Sequence, residues 1–473
     1  RRVRRAAPGG PKERTVRQTT GQSAECARAA AAAARPRSGA ALDLAIERAR
    51  DNLLGQQRED GHLCAQLEAD ITLEADLILV LHFLGRARTH AGLVAKAARE
   101  IVSQQLPGGG FSIFPGGPPD VSATVKAYFA LNLAGTPAGA EPLARARAAI
   151  AELGGITRCN TYTRLYLALF GQYDWKGIPE ILPEIMLLPP WFPLNLYDMS
   201  SWTRAIIVPL MVVNHYRPLA PVPEGCGIDE LRGDRRAERT LYVESRNGAS
   251  PWKRVFLSLD PLLKLWSRQP IAAIRGRALR KARSWILRRQ YRSEGLAAIW
   301  PGIINTAFAL TCLGFRDGDP VLERTIRQML DLIIENGEHL KVQPCKSPVW
   351  DTGLTMVSWL RAGMQSRDPA LARAARWLLD REVRLPGVPR QPRRRDSGLG
   401  LCNRTLSPTA AQVGLLQLET AAAQLTVGGP FATDGTPVRE SDMLTSQSSL
   451  FERLRAVMAS HLTGVLLETN DTG

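Results

Sequence analysis

Apolar positions along this chain recur at helical spacing. Val125, Phe129 and Leu133 fall at i, i+4 and i+8, with Tyr128 on the same side. Leu77, Val80, Leu81 and Leu84 repeat the stripe. Such stripes predict helices that turn one face to a core. The stripes are punctuated in a regular way. Residues 104–135 hold the clearest copy: a helix closing at Gln104–Gln105, a turn at Gly108–Gly110, Phe111, and a second helix ending at Gly135. The first copy runs from Ile46 through Gln56–Gln57 and Asp60–Gly61 to Gly85. A third runs from Trp285 through Gln290 and Gly295 to Gly314, and weaker copies lie around Gly154–Gly155 and Gln343–Gly363. Gly61 to Gly109 is 48 residues and Gly109 to Gly155 is 46. A period of that length, made of two helices and a turn, predicts stacked repeats that bury together what none buries alone.

Alternating runs of Val, Ile, Thr and aromatics are few, so the body is expected to be all-α. A chain of 473 residues, 45% apolar, is long enough for two domains. It holds no uninterrupted run of eighteen apolar residues, so no spanning helix is expected. Residues 1–40 lack the compact apolar stretch of a signal peptide, and the first residue is Arg1, so a missing or trimmed start is expected. The seven cysteines are scattered, odd in number and without a CxxC, which fits free thiols in a reducing compartment.

The net charge of +16 is concentrated. Residues 1–40 carry +8 and residues 384–404 carry +5. Basic ends of this kind attract nucleic acid or anionic lipid, but no nucleic-acid module accompanies them, and a disordered solvated segment is the expectation. The six histidines have no zinc spacing with cysteine, and neither a P-loop nor a dinucleotide fingerprint occurs. No metal or cofactor is therefore expected. Asp70, Glu74 and Asp76 cluster at one predicted helix start, where capping and dipole complementarity are the expected role and cation binding is the alternative.

Residues 251–270 carry a separate signal. Trp252, Val255, Phe256, Leu259, Leu262, Leu263 and Trp266 form one helical face bordered by Lys253, Arg254, Lys264 and Arg268. A basic helix with aromatic ends reads as an interfacial, one-leaflet membrane helix. A core stripe of the repeat body is the other reading. Pro261 is expected to kink or divide the helix.

Several long segments share a further likeness. Residues 67–85 (LEADITLEADLILVLHFLG), 115–135 (PGGPPDVSATVKAYFALNLAG), 183–204 (PEIMLLPPWFPLNLYDMSSWTR) and 342–352 (VQPCKSPVWDT) resemble bacterial squalene–hopene cyclases, in order, from about Leu42 to Gly387. The Gln–turn–Gly–aromatic pattern looks like that family's QW repeats, with Phe111 and Leu63 in place of the Trp. The resemblance implies α/α-barrels, toroids of helical hairpins, enclosing an apolar cavity in which squalene is protonated by a carboxylic acid and cyclised through carbocations to hopene or hopanol. An alkene is a very weak base, so the acid must be pushed toward donation. The cations need walls that exclude water, and aromatic faces stabilise them. By position in the family, Trp175, Trp300 and Trp350 are expected to line the cavity. Taken alone, aromatics at helix ends are core packing. The resemblance also implies a monotopic protein on the cytoplasmic side of the bacterial membrane, bound through Trp252, Phe256, Leu259, Leu263 and Trp266, with squalene or a related isoprenoid as ligand. A homodimer is compatible with it.

The family's acid lies in an Asp-x-Asp-Asp-Thr-Ala motif a few tens of residues after a segment that here reads LLDREVRLPG, Leu378–Gly387. The chain then continues VPRQPRRRDSGLG, and no DxDD occurs in it; Asp396, Asp434 and Asp442 are isolated. Such a change of composition is what a shifted reading frame or a gene-model error gives, with a divergent tail as the alternative. The expected organisation is a basic, disordered segment 1–40, an N-terminal barrel 41–345, the first helices of a truncated catalytic barrel 346–387, and an unmatched tail 388–473. Two functions follow: a squalene–hopene cyclase-like protein, inactive as written, or a non-catalytic α/α-barrel that binds an apolar isoprenoid or a partner protein.

Overall fold

The computed structural model describes residues 39–380 apart from 193–194, 234, 241–250 and 291–293. Of the segments expected to be disordered, 1–40 and the tail from 388, residues 1–38 and 388–473 lie outside the described residues, while Gly39 and Ala40 already belong to the first helix. The described residues are all-α but for one small sheet. Four of the five sequence copies become a helix, a glycine turn and a second helix; the weak copy around Gln343–Gly363 has a strand hairpin before its one helix. Helix α1 (Gly39–Gln56) precedes α2 (Thr72–Phe83); α3 (Ala91–Ser103) precedes α4 (Val121–Leu133); α5 (Glu141–Glu152) precedes α6 (Thr161–Leu169). Then follow α7 (Ser201–Tyr216), α8 (Pro251–Arg268), α9 (Ala272–Gln290), α10 (Trp300–Cys312), α11 (Pro320–Leu330), α12 (Pro348–Arg361) and α13 (Pro369–Asp380).

The second helices of the pairs form an inner wall and the first helices an outer one. α4 packs on α2 and α6, α10 packs on α7, and α10 returns to α2. Outside them, α3 lies on α2, α5 on α4, α9 on α7 and α11 on α10. The composition of each layer shows why. From Ser122 to Leu133, α4 is buried on every side, and α10 is buried nearly throughout from Trp300 to Leu310. Helices apolar all round belong inside. In α5 only Leu143, Ala146, Ala149 and Ile150 are buried, a single stripe against the inner wall. The centre is filled by rings: Phe83 and Phe308 meet edge-on at 4.7 Å, Phe129 and Phe170 at 5.3 Å, Tyr166 and Phe308 at 5.7 Å.

The repeated glutamine has one task in two copies. Gln105 Nε2 donates to Gly109 O and Pro142 O, both at 2.8 Å. Gln57 Nε2 donates to Gly61 O and Ala370 O, both at 2.9 Å. In each case one amide ties its own turn to the first turn of another outer helix, whose early carbonyls have no partner within that helix. Gln290 likewise donates to Thr325 on α11. The turn glycine is required by geometry. Gly109 has φ +85°, and a Cβ there would lie 2.5 Å from the Arg145 carbonyl oxygen; Gly61, at φ +100°, would meet the Arg373 carbonyl at the same distance.

Two features depart from the sequence reading. Residues Ile333–Asn336 (β1) and His339–Val342 (β2) form an antiparallel hairpin. The strands are four residues each with polar Glu, Asn, His and Lys among them, too short for alternation to show. And Pro261 does not divide α8, which runs as one helix from Pro251 to Arg268.

The first copy is the exception in partner choice. Its turn is tied to α13, and Leu53, Leu54 and Leu63 pack with Met356, Trp359, Ala370 and Leu371 in a core apart from the main one. His62 stacks on Trp377 at 4.9 Å, and Asp60 accepts from both.

Candidate functional site

The inner wall holds polar groups where apolar ones would suffice. Asp76 on α2 pairs with Lys126 on α4 at 2.8 Å, and both side chains are 8% exposed. Each sits inside an otherwise apolar helical run. The Lys126 ammonium lies 4.9 Å from the centre of the Tyr166 ring. Tyr166 Oη donates to Asn305 Oδ1 of α10 at 2.9 Å. The Trp300 indole lies beside Asp76. The Trp300 indole interacts with the Asp76 carboxyl and the Tyr162 hydroxyl with the Asn305 amide, so the pair sits in a buried polar cluster. Burial pushes the Asp76 carboxyl up, and the Lys126 charge offsets part of that rise. Burial likewise lifts Tyr162 to about 12.

Glu74, two residues earlier on α2, is buried too. Its Oε1 accepts the Val342 N–H at 2.8 Å, and Oε2 has no partner. Burial lifts its pKa to about 7; the nearby Glu100 and Asp70 carboxylates add to the rise and the Val342 N–H opposes it. A carboxyl that titrates near neutrality can hold or release a proton at working pH. Of the three acids read as caps, only Asp70 bonds the helix start, accepting from Thr72 N at 2.8 Å. Glu74 and Asp76 face inward instead, because the next turns of α2 are buried on all sides. The signal was present in the sequence: a charge inside LEADLILVL or VKAYFAL has no room to be solvated if its helix is interior.

The three tryptophans are distributed along the chain's inner elements. Trp300 opens α10, is 1% exposed, and its backbone N–H donates to Pro344 O at 2.8 Å. Trp350 is half-buried in the first turn of α12, next to Asp351. Trp175 begins a short 3-10 turn, Trp175–Gly177, packs against the main core, and has the Arg217 guanidinium 5.9 Å from its ring. Among the three, Trp300 is the one beside the Asp76–Lys126 pair.

The apolar face of α8 is split. Leu263 and Trp266 turn toward the body and line a groove of about 450 Å³ with Leu182, Leu187, Leu188 and Ile274. Trp266 Nε1 donates to Glu184 Oε1 at 3.2 Å, and the same oxygen accepts from Arg275 at 2.7 Å. Leu259, Leu262 and Leu265 face outward, the last two 62% exposed, and Ile271 and Ile274 extend the exposed apolar surface. The side chains of Trp252 and Phe256 lie outside the described residues. Among the described residues no helix is long and apolar enough to cross a membrane.

A hairpin toroid with this inner wall matches a known family. The model of the squalene–hopene cyclase N-terminal domain covers residues 46–338, and that of the C-terminal domain covers 346–400. The chain belongs to the squalene–hopene cyclase family. It is 34% identical over 344 residues to a squalene–hopene cyclase of Zymomonas mobilis, spanning 72% of this chain and 52% of that one. It is 35% identical over 341 residues to a squalene–hopene cyclase of Bradyrhizobium diazoefficiens, with the same coverage. Dammaradiene synthase of Dryopteris crassirhizoma is 31% identical over 345 residues, 72% of this chain and 49% of that one. The chain thus spans about half the length of the curated relatives it matches. Within this cyclase family member, the Asp76–Lys126 pair, Glu74 and the buried polar groups around Trp300 are the groups whose chemistry exceeds packing.

Proposed function

We infer that this protein provides the N-terminal half of a squalene–hopene cyclase-type assembly and binds squalene or a related isoprenoid at a membrane surface. Family membership across 46–338 carries the reading. The exposed Leu259, Leu262 and Leu265 on α8, beside Ile271 and Ile274, support single-leaflet attachment. Substrate so apolar enters most readily from lipid, which supports a peripheral position on the cytoplasmic membrane. Trp300, whose N–H meets the Pro344 carbonyl, and Trp350, in the first turn of α12, are assigned to the wall of the substrate cavity, and Trp175 to a wall position beside Arg217. Residues 41–345 then act as the N-terminal barrel, and 346–387 begin the catalytic one.

The chain as written does not cyclise squalene in this reading. Protonating an alkene needs an acid raised and aimed for that task, and no DxDD occurs in the sequence. Binding alone leaves the barrier unchanged unless the transition state is held more tightly than the substrate. The test is gas chromatography of lipid extracts from cells making this chain, beside cells making it joined to a family-type C-terminal barrel. The expected result is no hopene from the first and hopene from the second. Hopene from the chain as written overturns the assignment of inactivity, and none from the joined protein overturns the cyclase reading.

A further inference from the structure

Two cysteines lie on segments that are tied together where the N-terminal segment crosses the start of α12. The extended stretch around residues 63–67 is held against residues 343–352 by a ladder of side chains. Leu63 N donates to Thr352 Oγ1 at 2.9 Å, Ala65 N to Asp351 Oδ2 at 2.9 Å, and Leu67 N to Gln343 Oε1 at 3.1 Å. Thr352 Oγ1 also reaches the Leu63 carbonyl at 3.2 Å. Cys64 lies between the first two rungs. Cys345 lies between Gln343 and Ser347, whose Oγ donates to Asp351 Oδ1 at 2.9 Å. The Ser347 N–H points at the Cys64 sulfur, two residues from Cys345, and each thiol is within electrostatic reach of the Asp351 carboxylate. Both thiols are free and half-buried. They are 281 positions apart in sequence, and only the fold brings them together.

We propose that Cys64 and Cys345 form a reversible disulfide that staples the N-terminal segment to the start of α12 when the protein meets a low-molecular-weight disulfide such as oxidised glutathione. The environments of the two thiols set the order of events. Burial raises both, and Asp351 raises both further. Cys64 alone has groups that favour its thiolate: the Ser347 N–H, Lys346 and Arg58. Cys64 is therefore the attacking thiol. Its thiolate attacks one sulfur of oxidised glutathione; that S–S bond breaks and one glutathione thiolate leaves. The Cys345 thiolate then attacks the Cys64 sulfur of the mixed disulfide and expels the second glutathione. The two cysteine protons end on the two glutathione thiols, so two protein thiols are oxidised as one disulfide is reduced. The staple closes a long loop and restricts the unfolded chain. It also holds the segment that carries Trp350 against the N-terminal segment.

The test uses the full chain with Cys26→Ser and Cys402→Ser, two positions outside the described residues. The folded protein is incubated with oxidised glutathione, trapped by alkylation, and mapped by peptide mass spectrometry without reduction. The expected product is one cross-linked peptide pair joining Cys64 to Cys345, with the intact mass lower by two hydrogens and a higher thermal midpoint that dithiothreitol reverses. Cys345→Ser should stop at a glutathione adduct on Cys64, and Cys64→Ser should slow adduct formation at Cys345 by about tenfold or more. Separate adducts on both cysteines of the unsubstituted pair overturn the proposal. So does cross-linking to Cys159, Cys226 or Cys312, or an absence of reaction at both thiols.

Discussion

Replacing Lys126 by Met removes one half of the buried pair and keeps the length of the side chain. At the 2.8 Å separation of Lys126 Nζ and Asp76 Oδ1, an effective dielectric of about 20 gives an attraction of roughly 6 kcal/mol. That figure is not the expected loss, because burying both charges already opposes it. Removing one partner of a buried pair typically destabilises by about 3–5 kcal/mol. Asp76 also has an escape: it can take up a proton. From an unfolded value near 4, protonation at pH 7 costs about 4 kcal/mol, which caps the penalty. The expected destabilisation is therefore about 3–4 kcal/mol at pH 7. In the variant the folded-state pKa of Asp76 rises far above its unfolded value, so the folded state binds the extra proton. Its stability relative to the parent must then recover as pH falls, by up to about 1.4 kcal/mol per pH unit toward pH 4. Urea denaturation at pH 7 and pH 5 measures this, and tryptophan fluorescence is a fitting probe because the Trp300 indole lies beside Asp76. The double variant Asp76→Leu/Lys126→Met should be less destabilised than Lys126→Met alone, since no charge is left buried. A loss under about 1 kcal/mol at pH 7, or one that does not shrink at pH 5, would refute the argument.

Glu74 gives a related test, with the same sense, in the parent. Its pKa is raised to about 7 in the fold, so the folded state loses stability as pH rises from about 4.5 to 7, by up to about 3 kcal/mol; Glu74→Gln should remove that part of the pH profile, and an unchanged profile would contradict it. Leu262→Asp with Leu265→Asp alters side chains that are 62% exposed, so it should shift the protein from pelleted vesicles to the supernatant at little cost in stability; unchanged partitioning would assign attachment to another surface. Gly109→Ala should destabilise far more than Gly85→Ala, although both glycines have positive φ, because a Cβ at Gly109 meets the Arg145 carbonyl and one at Gly85 meets nothing within 4 Å. The backbone strain common to both is worth about 1–2 kcal/mol, and equal thermal shifts would show that the close approach is relaxed in solution.

The helical hairpins, their turns and the family were legible in the sequence because their causes are local. A 3.6-residue period, a glutamine before the turn and a glycine within it act over a few residues, and Gln105 with Gly109 is legible as a turn without any knowledge of α5. What the glutamine reaches next is not local. Gln57 bonds Ala370, 313 residues on, and Gln105 bonds Pro142, 37 on, from the same motif. The identity of the partner depends on which outer helix docks there. Asp76 and Lys126 show the same limit: near a helix start an acid reads as a cap, and only the closure of the inner wall makes its solvation impossible and a cation from the next hairpin necessary. On α8 the apolar stripe was plain, but its division into Leu263 and Trp266 facing Glu184's side and Leu259, Leu262 and Leu265 facing outward was not. Hydrophobic spacing states that a face wants to leave water. Whether protein or another apolar phase receives it is decided by the shape of the body it packs on.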